Sequence, residues 1–212
     1  MLMRGMLISF SDPNIGLVPT FVPFQYNPAL ITRTITVSAG VAGGPALRVQ
    51  NAPVEAYTLK IELDAVDVVE KPISGLMGLQ PMLATIEAMM EPAGKLGVLG
   101  AVGSALSGAV SALTGGSSSG GPIPAPSLPL VVLAWSLTRI VPVRITSFTA
   151  TETGFNAGLL PVQAAVDLGL TVLRPSDLDS GLKMASFLAQ AYQAVRSAMA
   201  IAGVAQGVEM LL

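Results

Sequence analysis

The chain has 212 residues and a formal net charge of -2, and it contains neither cysteine nor histidine. These counts exclude disulfides, thiolate zinc sites and Ser-His-Asp catalysis, and without a surplus of Lys and Arg we expect no binding of nucleic acid. Only 11% of the residues are charged and 51% are hydrophobic, so either an assembly covers much of the surface or part of the chain lies in lipid.

The N-terminal residues predict a short β-strand and not an export signal. Met6, Ile8 and Phe10 alternate with other residues, and a polar turn at residues 11–14 ends the stretch. No apolar run of signal-peptide length comes before Asp12. We therefore expect Met6, Ile8 and Phe10 to share one face of a strand, and the protein to be made in the cytoplasm without a cleaved signal.

Three extended segments follow in the first half of the chain. Residues 21–26 form the first, which the Asn27-Pro28 pair turns. In residues 31–37, Ile, Arg and Val alternate with Thr, which predicts a strand rich in β-branched residues. Residues 57–63 alternate Tyr, Leu and Ile with Thr, Lys and Glu, so we expect an amphipathic strand whose charged side faces water.

One helix is predicted between Leu76 and Met90, where the apolar period changes from two to that of a helix. Pro92 ends the pattern. The apolar positions at helical spacing are Leu76, Leu79, Leu83, Ile86 and Met90.

An uncharged segment separates this helix from the strands that follow, since residues 96–138 contain no Asp, Glu, Lys or Arg. Residues 96–113 are apolar and rich in small residues, and residues 115–129 form a Gly/Ser run and then a Pro-rich run, typical of a linker. We expect a segment of this composition to be flexible or covered by a partner. A membrane-spanning helix at 96–113 stays open, since about 18 apolar residues is the lower limit for a span.

Residues 130–174 predict three consecutive strands joined by short polar turns. Apolar residues recur with a period of two around Trp135, around Val143 and through residues 162–172. Together with the earlier strands they predict an antiparallel β-domain, a closed or nearly closed barrel with a single helix packed across it. We interpret Trp135, the only tryptophan, as a core anchor of the barrel, with an interface hot spot as the alternative.

The last segment, residues 180–208, predicts a long helix or a broken pair of helices. Ser176, Asp177 and Ser180 offer N-caps. The predicted apolar stripe consists of Met184, Leu188, Ala191, Val195, Ala198 and Ala202. We therefore divide the chain into a β-domain at 1–178 and a helical extension at 179–212. The extension packs on its own barrel, on an adjacent subunit or on another layer of an assembly.

Four motifs, taken in order, resemble one family. They are Phe24-Gln25-Tyr26-Asn27-Pro28, a strand ending in Trp135 that leads into Pro142-Val143-Arg144-Ile145-Thr146-Ser147, a turn with Thr151, Glu152 and Phe155, and a strand with Pro161, Ala164 and Val166. In this order and spacing the chain resembles the tube-like proteins of contractile injection systems, the phage-tail-like secretion devices, from residue 6 to residue 178 without the insertion. The residues taken as fold markers are Phe24, Gln25, Asn27, Pro28, Trp135, Pro142, Val143 and Glu152.

The resemblance implies a mainly β fold with α: a tail-tube-like antiparallel barrel with one packed helix, a loop insertion at residues 93–128 and a C-terminal helical tail. It also implies a structural, non-enzymatic protein without cofactor or metal. Such a protein forms a hexameric ring or symmetric adaptor in the inner baseplate, between the spike complex and the inner tube of an injection particle. Its partners are further copies of itself and the tube, spike and other baseplate proteins.

Charged strand residues are the candidates for contacts between subunits or between stacked rings. Arg33, Arg139 and Arg144 could form ion pairs across such contacts with the acidic residues Glu55, Glu62, Glu152 and Asp167. The simpler interpretation is that each of these side chains lies on a strand face exposed to water. The interface candidates are Arg33, Glu62, Arg139, Arg144 and Asp167.

Two other classes of function stay open on the sequence. A membrane-anchored binding protein would combine the β-domain with a single hydrophobic span at 96–113. A carboxylate-based hydrolase would need Asp or Glu residues that converge in a pocket, and no motif in the sequence predicts one.

Overall fold

A computed structural model describes residues 4–10, 19–37, 51–65, 77–91, 128–178 and 182–210. Within these ranges the chain forms seven strands, two α-helices and a short 3-10 turn. In chain order they are β1 (Met6–Phe10), β2 (Thr20–Pro23), β3 (Ile31–Thr36), β4 (Val54–Asp64), α1 (Gln80–Ala88), β5 (Leu130–Ser136), β6 (Arg139–Phe155), β7 (Pro161–Val172), the 3-10 turn (Pro175–Asp177) and α2 (Lys183–Glu209).

The seven strands form one sheet in the order β2-β1-β5-β6-β7-β4-β3, and every neighbouring pair is antiparallel. The predicted class, mainly β with α, is therefore confirmed. Within the described residues no ladder joins β2 to β3, so the sheet is not closed.

Period-two patterning decides which side of the sheet forms the core. In β4, Tyr57, Leu59, Ile61 and Leu63 are buried, whereas Thr58, Lys60 and Glu62 are exposed, as the sequence predicts. The register sets these four side chains beside the buried apolar residues of β7 and, through β7, beside those of β6. Their shared side is called the inner face here, and the opposite side the outer face.

Helix α1 packs on this core and lies within the stretch where the sequence predicts a helix. Leu79, Leu83 and Ile86 are buried at helical spacing, and the fourth buried position is Met89, next to the predicted Met90. Leu76 and Pro92, which belong to the same prediction, lie outside the described residues.

Strand β1 places Met6, Ile8 and Phe10 on one face, as predicted, and it contacts apolar residues on both of its faces. Leu7 and Ser9 are the buried positions, and Leu7 belongs to the main core. Ile8 and Phe10 are half-buried on the other face, in a second apolar cluster with Leu130 of β5. A strand covered on both sides does not separate core from solvent by its alternation, so the period-two pattern by itself does not show which face of β1 joins the main core.

The C-terminal segment is a single continuous helix, α2, and not a broken pair. Its buried positions are Ala185, Ala189 and Tyr192, so the predicted stripe is displaced around the helix, and Met184, Ala198 and Ala202 are exposed. Small alanines let the helix approach the sheet closely, and this close approach decides the contact face. Of the residues predicted as N-caps of this helix, Asp177 instead binds the Arg174 side chain at the 3-10 turn. Ser180, another of them, lies outside the described residues.

Of the predicted insertion at 93–128, only Leu128 belongs to the described residues. The candidate membrane span at 96–113 lies outside the described residues, and so does the predicted turn at 11–14. None of the helices in the described ranges combines the length and apolarity that a bilayer crossing needs.

Candidate functional site

A buried carboxylate joins three elements of the fold. Glu55, at the start of β4, is only 5% exposed. Its Oε1 accepts hydrogen bonds from Arg33 Nε at 2.6 Å and from the Tyr57 and Tyr192 hydroxyls at 2.7 Å each. Its Oε2 accepts one from Arg196 Nη1 at 2.6 Å. These five residues are called the Glu55 cluster.

The sequence positions of the cluster explain why these side chains meet. Glu55 and Tyr57 are two residues apart in β4, so both project from the inner face. Arg33 lies directly opposite Tyr57 in the β3–β4 ladder. Tyr192 and Arg196 are one helical turn apart on α2, so they reach the carboxylate from the same side of the helix.

The electrostatics of the cluster keep Glu55 ionised. Burial alone raises the pKa of its carboxyl, but hydrogen bonds from Tyr192, Tyr57 and Arg33 and the charge of Arg196 outweigh burial, so the pKa is lowered from 4.5. Burial and the close contacts of its hydroxyl with the Tyr192 hydroxyl and the Glu55 carboxylate raise the pKa of Tyr57. A deprotonated carboxylate with four donors is a poor acid or base for catalysis, and its evident role is to hold α2 on the sheet.

Two aromatic rings of the cluster also face guanidinium groups. The Arg139 guanidinium lies 5.7 Å from the centroid of the Tyr57 ring, and the Arg196 guanidinium lies 5.7 Å from that of Tyr192. Two arginines bind the one carboxylate and a third lies over the Tyr57 ring, which leaves a local excess of positive charge within the cluster.

The fold-marker motif packs around a glycine that sequence reasoning missed. The Phe24 side chain is fully buried, and its ring centroid lies 6.3 Å from that of Trp135. Gly5 accepts a hydrogen bond from the Phe24 backbone N–H at 2.8 Å and donates its own N–H to Asn27 Oδ1 at 2.9 Å. A Cβ on Gly5 would lie 2.7 Å from the Trp135 ring, so the motif requires glycine here. Trp135 is half-buried against the core, as its interpretation as a core anchor expects.

Gln25, from the same motif, connects the end of β2 to the end of β4. Its Nε2 donates to the Asp64 backbone oxygen at 2.7 Å, and its Oε1 accepts from the Asp64 backbone N–H at 2.8 Å. The side-chain amide thus makes the same pair of bonds as a residue of an adjacent antiparallel strand.

The remaining markers are divided between core and surface. Pro142 and Val143 are buried in β6, and Glu152 is exposed near the end of that strand. Pro28 lines an open groove of about 390 Å³, together with Tyr26, Leu30, Thr32, Lys60, Glu62 and Asp167 among others.

The structure separates the five interface candidates into two groups. Arg33 and Arg139 belong to the surroundings of Glu55, and the Arg33–Glu55 ion pair lies within one chain. Glu62, Arg144 and Asp167 lie exposed on the outer face, where Asp167 is opposite Lys60. Sequence reasoning missed Tyr192 and Arg196; the only signal for them was a tyrosine and an arginine four residues apart in an alanine-rich helix.

The two terminal strands of the sheet differ in how well they could accept another strand. Next to the end of β2, the Phe24 N–H donates to Gly5 and therefore points towards β1. Because successive residues of a strand point their backbone groups to opposite sides, those of Pro23 point to the free edge of β2. Proline has no N–H, so this position cannot donate a hydrogen bond to another strand. Strand β3 contains neither Pro nor Lys, and its single charge, on Arg33, is paired with Glu55. Edge strands are usually protected by such residues, so within the described part of the chain β2 is protected and the outer edge of β3 is open.

Strand β6 has a second open edge. It continues to Phe155, but β5 pairs with it only as far as Val143. Within the described residues, the side of β6 that faces β5 is therefore unpaired from residue 145 to residue 155. This segment contains no proline.

Neither the protein-family models nor the curated proteins provide a relative from which a function could be transferred. No protein-family model matches the chain, and no curated protein matches it. Function has to be inferred from the motifs and from the geometry described above.

Proposed function

We propose that this chain is a structural component of a contractile injection system, an inner baseplate or tube-initiating ring that links the spike complex to the inner tube. The observation that carries the proposal is the open edge of β3 in an antiparallel sheet whose chain is only 11% charged. An unprotected edge of this kind is a template for strand pairing with another chain. In the ring, six copies adopt a tail-tube-like arrangement whose borders are covered by neighbours.

The packing of the motif residues supports the same proposal. Phe24, Gln25 and Asn27 each hold a separate part of the sheet, through Trp135, Asp64 and Gly5 respectively. Three residues of the first motif that carries the resemblance thus connect separate parts of the sheet. A motif that connects parts of a sheet in this way is expected to recur in proteins that share the fold.

The proposed role is mechanical and needs no reaction. The ring is a template of fixed diameter: one face stacks on the spike side and the other on the first ring of the tube. Through the Glu55 cluster, α2 is held on the sheet, while Met199, Ile201 and Val204 in its second half are exposed to partners. Large exposed apolar side chains of this kind are typical of surfaces that an assembly covers.

The test is to measure the mass of the purified protein by light scattering and to image it by negative-stain electron microscopy, alone and mixed with spike and tube proteins. We expect rings about as wide as an injection tube. A protein that stays monomeric under all these conditions would contradict the proposal.

A further inference from the structure

We infer that β3 of one copy pairs antiparallel with the unpaired part of β6 of a second copy, in the register that places Arg33 opposite Glu152. This inference depends on the proposed ring, because it specifies which surfaces of neighbouring copies meet. It joins two different edges, so the contact is head-to-tail and can be repeated around a ring.

The backbone supports this choice of strands. Both β3 and residues 145–155 of β6 are unpaired on one side in the described part of the chain, and neither contains a proline. Every residue facing the new ladder can therefore both donate and accept a hydrogen bond. The edge of β2 lacks the N–H of Pro23, so a ladder on that side is incomplete.

The outer faces of the two strands match in this register. In β6, the exposed threonines alternate with the half-buried Phe148 and Ala150, which pack on the core. Three threonines of β3 then lie opposite three of β6: Thr32, Thr34 and Thr36 against Thr153, Thr151 and Thr149. Cross-strand threonine pairs are favourable because of their β-branched shape and hydroxyl groups.

The inner faces match as well. Ile35 lies opposite Ala150 and Val37 opposite Phe148, so apolar residues continue the core side of the sheet across the border. A shift of two residues in either direction would place Glu152 opposite Ile31 or Ile35, and Arg33 opposite a residue without charge. The register with Arg33 and Glu152 paired is therefore selected by the side chains.

Charge favours the same contact. Arg33 and Arg196 both bind the single carboxylate of Glu55, Arg139 lies over the neighbouring Tyr57 ring, and the Arg33 side chain is 36% exposed. Glu152 of the second copy would bring a second carboxylate to this positive site. Complementary charges of this kind set the register and the choice of partner.

Cysteine pairing tests the register directly, because the natural chain contains no cysteine. Single variants are mixed in pairs and oxidised: Thr34→Cys with Thr151→Cys, and Ile35→Cys with Ala150→Cys. Opposite residues alternate between wide and narrow pairs, so one of the two mixtures should give a disulfide-linked dimer. Thr34→Cys with Thr153→Cys, which is two residues out of register, is the matched control.

A charge reversal tests the same contact in the assembled protein. Glu152→Lys should weaken association by about tenfold or more, whereas Glu87→Lys, an equal charge change at an exposed position of α1, should leave it unchanged. Rings that persist in Glu152→Lys, without a disulfide in either in-register mixture, would overturn the inference and leave the proposed ring standing. A disulfide within Thr34→Cys alone would instead indicate pairing of β3 with itself and overturn the inference. A natural protein that forms no ring under any condition would overturn both proposals.

Discussion

Tyr192 and Glu55 are 137 residues apart in the chain, yet the tyrosine hydroxyl donates a hydrogen bond to the carboxylate at 2.7 Å. One turn further along α2, Arg196 binds the other carboxylate oxygen. Strand β4 and the C-terminal helix are therefore joined through one buried, charged side chain. The stability of the helix contact should depend on that charge, and two predictions follow from it.

Replacing Glu55 with Gln keeps the size of the side chain but removes its charge. The amide NH₂ group of the glutamine then faces one of the hydrogen-bond donors that the carboxylate oxygens accept from. We expect the free energy of unfolding to fall by about 2 kcal/mol, less than for a fully buried ion pair because Arg33 and Arg196 can partly regain water. Urea unfolding followed by tryptophan fluorescence measures the difference. Glu62→Gln, an exposed position of the same strand, should change it by less than about 0.5 kcal/mol, and equal losses in both variants would contradict the prediction.

The pH dependence of stability should have a defined sign. The folded pKa of Glu55 lies below the reference value of 4.5, so the unfolded chain takes up the proton first as the pH falls. The stabilisation is complete above about pH 4.5 and is lost as the pH falls through the lower folded pKa. The Arg174 hydrogen bond also lowers the pKa of Asp177, which adds a loss of the same sign.

Urea midpoints between pH 7 and pH 3 measure this loss. In Glu55→Gln the slope below about pH 4.5 should be shallower than in the natural protein, and the Asp177 contribution should remain. Parallel pH profiles for the two proteins would show that Glu55 does not carry the effect.

Local periodicity was sufficient to predict β4 and α1, because each has one buried face and one exposed face. For β1 it predicted the strand but not that both of its faces are covered, and it was insufficient for α2, where close packing of Ala185 and Ala189 decides the contact face. No local pattern could place Tyr192 beside Glu55, because the contact depends on how distant elements pack. The motif with Gln25 was visible in the sequence, but its bonds to Asp64 were not.

Gln25→Ala should weaken the connection between the end of β2 and the end of β4. The substitution removes two hydrogen bonds to the Asp64 backbone, and we expect a loss of about 1–3 kcal/mol in the free energy of unfolding. Gln163→Ala is the control, because Gln163 donates a single exposed hydrogen bond to the Asp64 side chain at 3.0 Å. If both variants unfold at the same urea concentration, the backbone-like role of Gln25 is wrong.

Gly5→Ala should disturb the contact between Phe24 and Trp135. The added Cβ would lie 2.8 Å from the Phe24 ring and 2.7 Å from the Trp135 ring, so both rings have to move at a cost of about 1–3 kcal/mol. Because Trp135 is the only tryptophan, its fluorescence and near-ultraviolet circular dichroism report this movement directly. Gly203→Ala, where the added Cβ meets nothing within 4 Å, should instead stabilise α2 by about 0.5–1 kcal/mol and leave both signals unchanged. A Gly5→Ala protein with natural stability and an unaltered tryptophan spectrum would mean that the space at Gly5 does not limit the packing of the motif.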